Sequence, residues 1–196
     1  LKQRYSDEVF SKRTSAYDPI SIYEFIECFS EKLHGGEIIV TGSSGLSVEV
    51  FYTHFKNKIG QKTFLTTGLG AMGYGLPALL GASEATNKKV ILFESDGSLM
   101  MNLQELQSLK SRGRDKLIFV MNNRGYASIR ATQRNYFNGR LVATDPNSGL
   151  EIPEIKKIAA CFGFDYCKIS NFREMPKTVS EVVGRSGLVI CEVVLQ

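Results

Sequence analysis

Val90-Ile91-Leu92-Phe93-Glu94-Ser95-Asp96-Gly97-Ser98 and Leu117-Ile118-Phe119-Val120-Met121-Asn122-Asn123-Arg124-Gly125 are built alike. Each opens with a short unbroken apolar run and stops at small or oxygen-bearing residues. A run with no polar alternation suits a strand covered on both faces, which is the condition of a parallel sheet. In such sheets ligands bind where the strands end, at their carboxyl ends. The two stretches therefore predict a fold and the edge of a site together.

With this pair included, strands are expected near 37–42, 63–67, 89–94, 116–122, 164–169 and 188–195, with helices between most of them. That alternation predicts an α/β fold, a parallel sheet of about six strands with helices on both faces. Ile22, Tyr23, Ile26 and Phe29 recur with helical spacing, and Gly35-Gly36 stops that helix. Residues 1–17 are charged and aperiodic and read as a linker or the tail of a preceding domain; residues 18–196 read as one domain. The chain starts at Leu1, not at a methionine, and ends at Gln196 in strand-like sequence, so a piece of a longer polypeptide is expected.

With 196 residues, 43% of them hydrophobic, the chain can bury one sizeable core. Its net charge of +4 is spread along the sequence, which argues against a nucleic-acid surface. Cys28, Cys161, Cys167 and Cys191 show no metal-type spacing and lie in apolar surroundings. They read as buried free thiols of a cytoplasmic protein. No apolar stretch approaches a membrane span.

The residues that close the two apolar runs suit a magnesium-diphosphate cradle. Magnesium takes near-octahedral oxygen ligands, commonly one or two side chains, with carbonyls, water and phosphate filling the rest. Asp96 offers the charge, Asn123 a neutral oxygen, and Gly125 a carbonyl on a backbone free to turn inward. These residues, 27 positions apart from Asp96 to Asn123, resemble the thiamine diphosphate (ThDP) motif of the acetolactate synthase and 2-oxoacid decarboxylase superfamily. The resemblance extends through Leu99-Met100-Met101-Asn102-Leu103-Gln104-Glu105-Leu106 and Tyr126, and covers residues 18–196 as that family's C-terminal diphosphate-binding domain. Ser95 stands where the family usually has glycine, and a slightly tighter turn is expected there.

Gly68-Leu69-Gly70-Ala71-Met72-Gly73 is also a GxGxxG, with Glu94 ending the next strand 21 residues on, close to a dinucleotide fingerprint. A nicotinamide-binding Rossmann oxidoreductase is thus an alternative. It explains neither the Asp96–Asn123 pair nor the continuation Tyr74-Gly75-Leu76-Pro77, both of which match the ThDP family. The resemblance implies that the Gly70 carbonyl meets the aminopyrimidine and that Met72 supports the bent cofactor; core packing is the plainer reading of Met72. Thr41-Gly42-Ser43-Ser44-Gly45 follows an expected strand, and its hydroxyls and amides suit phosphate oxygens or a helix cap. The resemblance assigns diphosphate contact to Ser43, adds Gly97, Ser98 and Tyr126 as cofactor-binding positions, and makes Asp96, Asn123 and Gly125 the metal ligands.

The family's chemistry is decarboxylation of a 2-oxoacid followed by proton capture or by attack on a second carbonyl. Pyruvate decarboxylases carry a glutamate four positions past the ligand glycine, and Ile129 stands there. The run Gln133-Arg134-Asn135-Tyr136-Phe137-Asn138-Gly139-Arg140 also resembles acetolactate synthases, whereas their Gln-Met-Trp segment is replaced by Gly45-Leu46-Ser47-Val48-Glu49-Val50. A carboligase is expected; a non-oxidative decarboxylase and a noncatalytic cofactor-holding or interaction module are the alternatives. The resemblance places the proton-handling glutamate in a separate N-terminal pyrimidine-binding domain, so no catalytic residue is nominated here. It implies a homo-oligomer, dimer or tetramer, and leaves FAD possible though not indicated by the motifs. Arg124, Arg130, Arg134 and Arg140 read as a solvated charged face, and His54 as a satisfied histidine.

Overall fold

A computed structural model describes residues 20–42, 46–66, 68–113 and 115–195. Ser43 and residues 1–17 lie outside the described residues. The described elements are α1 (Ile22–Lys32), β1 (Ile38–Thr41), α2 (Leu46–His54), β2 (Lys62–Phe64), α3 (Gly75–Ala85), β3 (Val90–Ser95), α4 (Asp96–Leu99), α5 (Glu105–Ser111), β4 (Lys116–Asn122), α6 (Ala127–Tyr136), α7 (Ile155–Phe162), β5 (Asp165–Ile169), α8 (Met175–Gly184) and β6 (Leu188–Val194). Single 3-10 turns follow α4 and precede α7, at Met100–Asn102 and Pro146–Ser148.

The six strands form one sheet in the order β2-β1-β3-β4-β6-β5, every pair parallel. The expected α/β architecture is therefore present, with both faces covered. Ile39, Ile91, Phe93, Leu117, Phe119, Met121 and Cys191 project to one face and pack under α1, α2 and α8. Alternate residues Val40, Leu92, Ile118, Val120 and Ile190 pack under α3, α5 and α7 on the other. The first face is built on phenylalanine: Phe29 lies 4.5 Å from Phe93 and 5.3 Å from Phe119, both edge-to-face, and Phe93 stacks on Phe119 at 5.4 Å. Such ring pairs add about 0.5–1.5 kcal/mol each beyond the area they bury.

Local sequence explains the element ends. Ser21 caps α1, accepting from the Tyr23 amide, while Glu24 reaches back to the Ser21 amide. The helix ends before Gly35 and Gly36, whose positive φ values of 106° and 82° suit glycine. The second strand is an edge strand with alternating exposure, and among the described residues of the expected 63–67 stretch and its neighbours only Lys62–Phe64 pair with β1.

Successive connections leave β1 toward β2 on one side, while β3 pairs on β1's other side. β1 and β3 are thus the neighbours from which the strand order runs in opposite directions, and such a sheet opens a crevice at the carboxyl ends of that pair.

Candidate cofactor and metal site

Asp96 begins α4 directly after β3 and is 1% exposed. Its Oδ1 accepts the Gly97 amide at 3.0 Å, and its Oδ2 accepts the Gly125 amide at 2.8 Å. Burial pushes this carboxyl up to about 6, against the pull of the Gly125, Gly97 and Asn123 amides and the Arg130 charge. A cation beside it would replace what burial removes.

The loop after β4 supplies the other half. Asn123 Oδ1 is buried with no hydrogen-bond partner, an acceptor aimed at nothing in the protein. Gly125 has φ 126°, and a Cβ there would sit 2.4 Å from the Thr144 carbonyl. Only glycine fits. A Cβ on Gly97 would lie 3.4 Å from the Gly125 carbonyl oxygen, which places that oxygen against the first turn of α4. A buried carboxylate, an orphaned amide oxygen and an inward carbonyl form an all-oxygen donor set that fits magnesium.

A cavity of about 620 Å³ opens beside this loop, lined by Gly70, Met72, Asn123, Gly125, Tyr126 and Ile129 among others. The structure thus brings Gly70 and Met72 to the same space as the residues of the loop after β4, although they lie more than fifty positions earlier. Met72 is 39% exposed, so it is not a core residue. Gly97 packs against the Tyr126 ring; a Cβ there would be 2.5 Å from Tyr126 Cε1. Ser98 lies beneath, 1% exposed, its hydroxyl accepting the Gly73 amide at 2.8 Å. Asn102 Nδ2 donates to the Gly73 carbonyl at 2.9 Å. The glycine-rich loop is therefore tied at its end to the turn that follows Asp96.

Glu94 is not available to a ribose. It is fully buried, accepting from Ser95 N at 3.0 Å and Gly75 N at 3.2 Å. A Cβ on Gly42 or on Gly75 would sit 2.2 Å from a Glu94 carboxylate oxygen, so both glycines are spaces this side chain occupies. Desolvation raises its carboxyl to about 7, against hydrogen bonds from Ser98, Ser95 and Gly75.

Other sequence expectations change. Arg130 is no part of a solvated face: it donates to the carbonyls of Asn123 at 2.8 Å and Thr144 at 2.6 Å, stapling the loop after β4 from α6. Ser95 makes no tight turn; at φ −87° and ψ 154° it is ordinary extended backbone. Cys161 is exposed, and Cys28 and Cys167 are half-buried, leaving Cys191 as the single buried thiol. His54 is satisfied as expected, 2.7 Å from Thr53 Oγ1 and packed on Tyr23. Among the described residues no helix is long and apolar enough to cross a membrane.

Residues 42–193 match the profile of a family described as thiamine pyrophosphate enzyme, C-terminal TPP binding domain. The chain is 33% identical over 175 residues to acetolactate synthase isozyme 1 large subunit of Escherichia coli (strain K12), a match covering 88% of this chain and 30% of that protein. It is 33% identical over 137 residues to the acetolactate synthase large subunit of Pyropia yezoensis, covering 69% of this chain and 23% of that one. The chain thus spans under a third of these relatives' length. Among solved structures it superposes on a benzoylformate decarboxylase from Polynucleobacter necessarius with a TM-score of 0.75 at 16% identity, over 94% of this chain and 35% of that one, a likeness of fold.

Proposed function

The chain belongs to the thiamine pyrophosphate enzymes, matching their C-terminal TPP-binding domain, and from that premise we propose that it holds magnesium and ThDP for an acetolactate synthase-like carboligase. The observation that carries the magnesium reading is the orphaned Asn123 Oδ1 on the loop whose Gly125 amide is bound by Asp96. An acceptor buried without a partner costs about 1–3 kcal/mol, and a bound cation offsets that cost.

In this reading Asp96, Asn123 and the Gly125 carbonyl hold the metal. Gly70, Met72 and Tyr126 line the cavity for the cofactor, and Gly97 and Ser98 shape its floor. Ser43, after β1, completes the diphosphate contacts. Thiamine diphosphate supplies, when bound, the electron sink that lets a 2-oxoacid lose carbon dioxide and its acyl carbon attack an acceptor. Arg130 keeps the metal-loop carbonyls fixed, so that little reorganisation is needed on binding.

Ile129 favours carboligation over aldehyde release. It lines the cavity at 40% exposure and has no group to deliver a proton. In the whole protein the 2-oxoacid substrate, an N-terminal pyrimidine-binding domain and a homo-oligomeric partner belong to the same reading, in the cytoplasm.

The test is calorimetric titration of the chain with ThDP, with magnesium and with chelator, for wild type and Asp96→Asn. Binding that needs magnesium and is lost in Asp96→Asn without loss of folding is expected. Equal metal-dependent binding by both proteins would remove Asp96 from the site, and binding of NAD without metal would overturn the cofactor assignment. The products of the full-length enzyme from pyruvate then separate carboligation from aldehyde release.

A further inference from the structure

Glu192 lies in the interior of β6, paired across the sheet with Val120 and Lys168, and is 7% exposed. An apolar side chain would fill such a place at lower cost, since a carboxylate taken from water must be repaid by its partners. Those partners point in one direction. Glu192 Oε1 accepts Asn122 Nδ2 at 2.6 Å, and Oε2 accepts the Tyr166 hydroxyl. Asn122 Oδ1 in turn accepts the Arg124 amide at 3.0 Å. Because a carboxylate only accepts, it fixes the Asn122 amide with its nitrogen toward β6 and its oxygen toward the loop. Arg124 has φ 60°, a left-handed conformation unusual for a side-chain-bearing residue, and the Asn122 bond closes this bend as an Asx turn.

The bend sits between Asn123 and Gly125. A second cavity, of about 470 Å³, lies on this side of the loop, bounded by Asp96, Asn122, Arg124, Tyr166, Lys168 and Glu192. On this flank the bend at Arg124 is closed by the Asn122 side chain, while Leu150 packs beside Gly125. We propose that Glu192 is a positioning residue for the metal loop, acting through Asn122, with Tyr166 orienting its carboxylate. The first asparagine of the pair then has a task distinct from the second: Asn123 presents an oxygen to the cofactor site, and Asn122 sets the bend that aims it. This inference rests on the ThDP reading for its function, although its geometry stands apart from it. Loss of such outer-sphere support in metal sites costs about 10- to 100-fold in metal affinity.

The experiment uses the chain as wild type, Asn122→Ala, Glu192→Leu and Glu192→Gln, with two readouts. Without ligand, amide hydrogen exchange at Arg124 is compared with that at Ile118 and Phe119 in β4. With magnesium, the affinity for ThDP is measured by calorimetry. Asn122→Ala and Glu192→Leu should speed exchange at Arg124 about tenfold or more while the β4 amides stay protected, and should weaken magnesium-dependent ThDP binding by about tenfold or more. Glu192→Gln keeps an acceptor for Asn122 and should restore most of both. Unchanged exchange at Arg124 in Asn122→Ala overturns the proposal, as does unchanged ThDP affinity in that variant when wild type binds. Should Glu192→Leu fail to fold, Asn122→Ala and Glu192→Gln still decide. Absence of ThDP binding by wild type would count against the cofactor reading alone, with the exchange readout still testing the contact.

Discussion

Gly97→Ala should destabilise the protein for a reason that a second substitution can reverse. The added Cβ would lie 2.5 Å from Tyr126 Cε1 and 2.7 Å from Cδ1, where ordinary contact begins at 3.4 Å. The ring must therefore retreat by about 1 Å from its packed position. Overpacking of this kind costs about 1–3 kcal/mol. Against it, alanine in place of glycine within a helix stabilises by about 0.5–1 kcal/mol, and Gly97 sits inside α4. The net expectation is a loss of about 1–2 kcal/mol, read from urea unfolding, or about 3–6 °C in Tm for a chain of this size. In a Tyr126→Ala background the obstruction is gone and only the helix preference remains. There Gly97→Ala should stabilise by about 0.5–1 kcal/mol. A change of sign between the two backgrounds is the signature of a direct contact. If Gly97→Ala costs the same with and without the Tyr126 ring, the packing of Tyr126 over the first turn of α4 is wrong, and its place in the cavity wall falls with it.

Arg130→Met, which keeps the stem but not the guanidinium, should cost about 1–3 kcal/mol because the Asn123 and Thr144 carbonyls lose charged donors; urea unfolding measures the loss, and no loss would return Arg130 to the solvated surface. Phe29→Ala should cost about 3–5 kcal/mol in the same assay while leaving hydrogen exchange at Arg124 unaltered, since its ring packs only in the phenylalanine face. Burial pushes Glu37 up, but donors from Gln61, His34 and Gly35 outweigh it and hold its carboxyl below the ordinary value of 4.5. A depressed folded pKa gives stability that is complete above that ordinary value and is lost as pH falls through the folded one. Urea midpoints taken from neutral to acid pH should therefore fall more steeply for wild type than for Glu37→Gln; parallel curves would refute the assignment.

The strands were legible because their signal is simple. Unbroken apolar runs bounded by glycine and oxygen-bearing residues mark buried parallel strands, and each of the six expected strands has its counterpart. The edge strand pairs over a shorter stretch among the described residues, since Leu65 and Thr66 are apolar or β-favouring yet lie past the last pair at Phe64. Of the candidate residues that the structure brings near one another, Asp96, Asn123 and Gly125 were singled out by chemical type and spacing, and Gly70 and Met72 by resemblance. Arg130 could not, because a guanidinium that caps carbonyls looks the same in sequence as one that faces water. The Glu192 contact did leave a signal: a lone carboxylate in Leu188-Val189-Ile190-Cys191-Glu192-Val193-Val194 demands a partner wherever the strand is buried. Its partner was hidden 70 positions away, at Asn122.

The lodging of Glu94 between Gly42 and Gly75 also limits the order in which this sequence can drift. A side chain at either glycine must displace the glutamate, because either Cβ would meet its carboxylate at 2.2 Å, and at 75 it would also lie 2.9 Å from Leu92 Cδ1. A smaller residue at position 94 relieves that contact at both, though Leu92 still crowds 75. Positions 42 and 94 should accordingly vary as a pair among descendants, whereas 75 answers to Leu92 as well as to the acid.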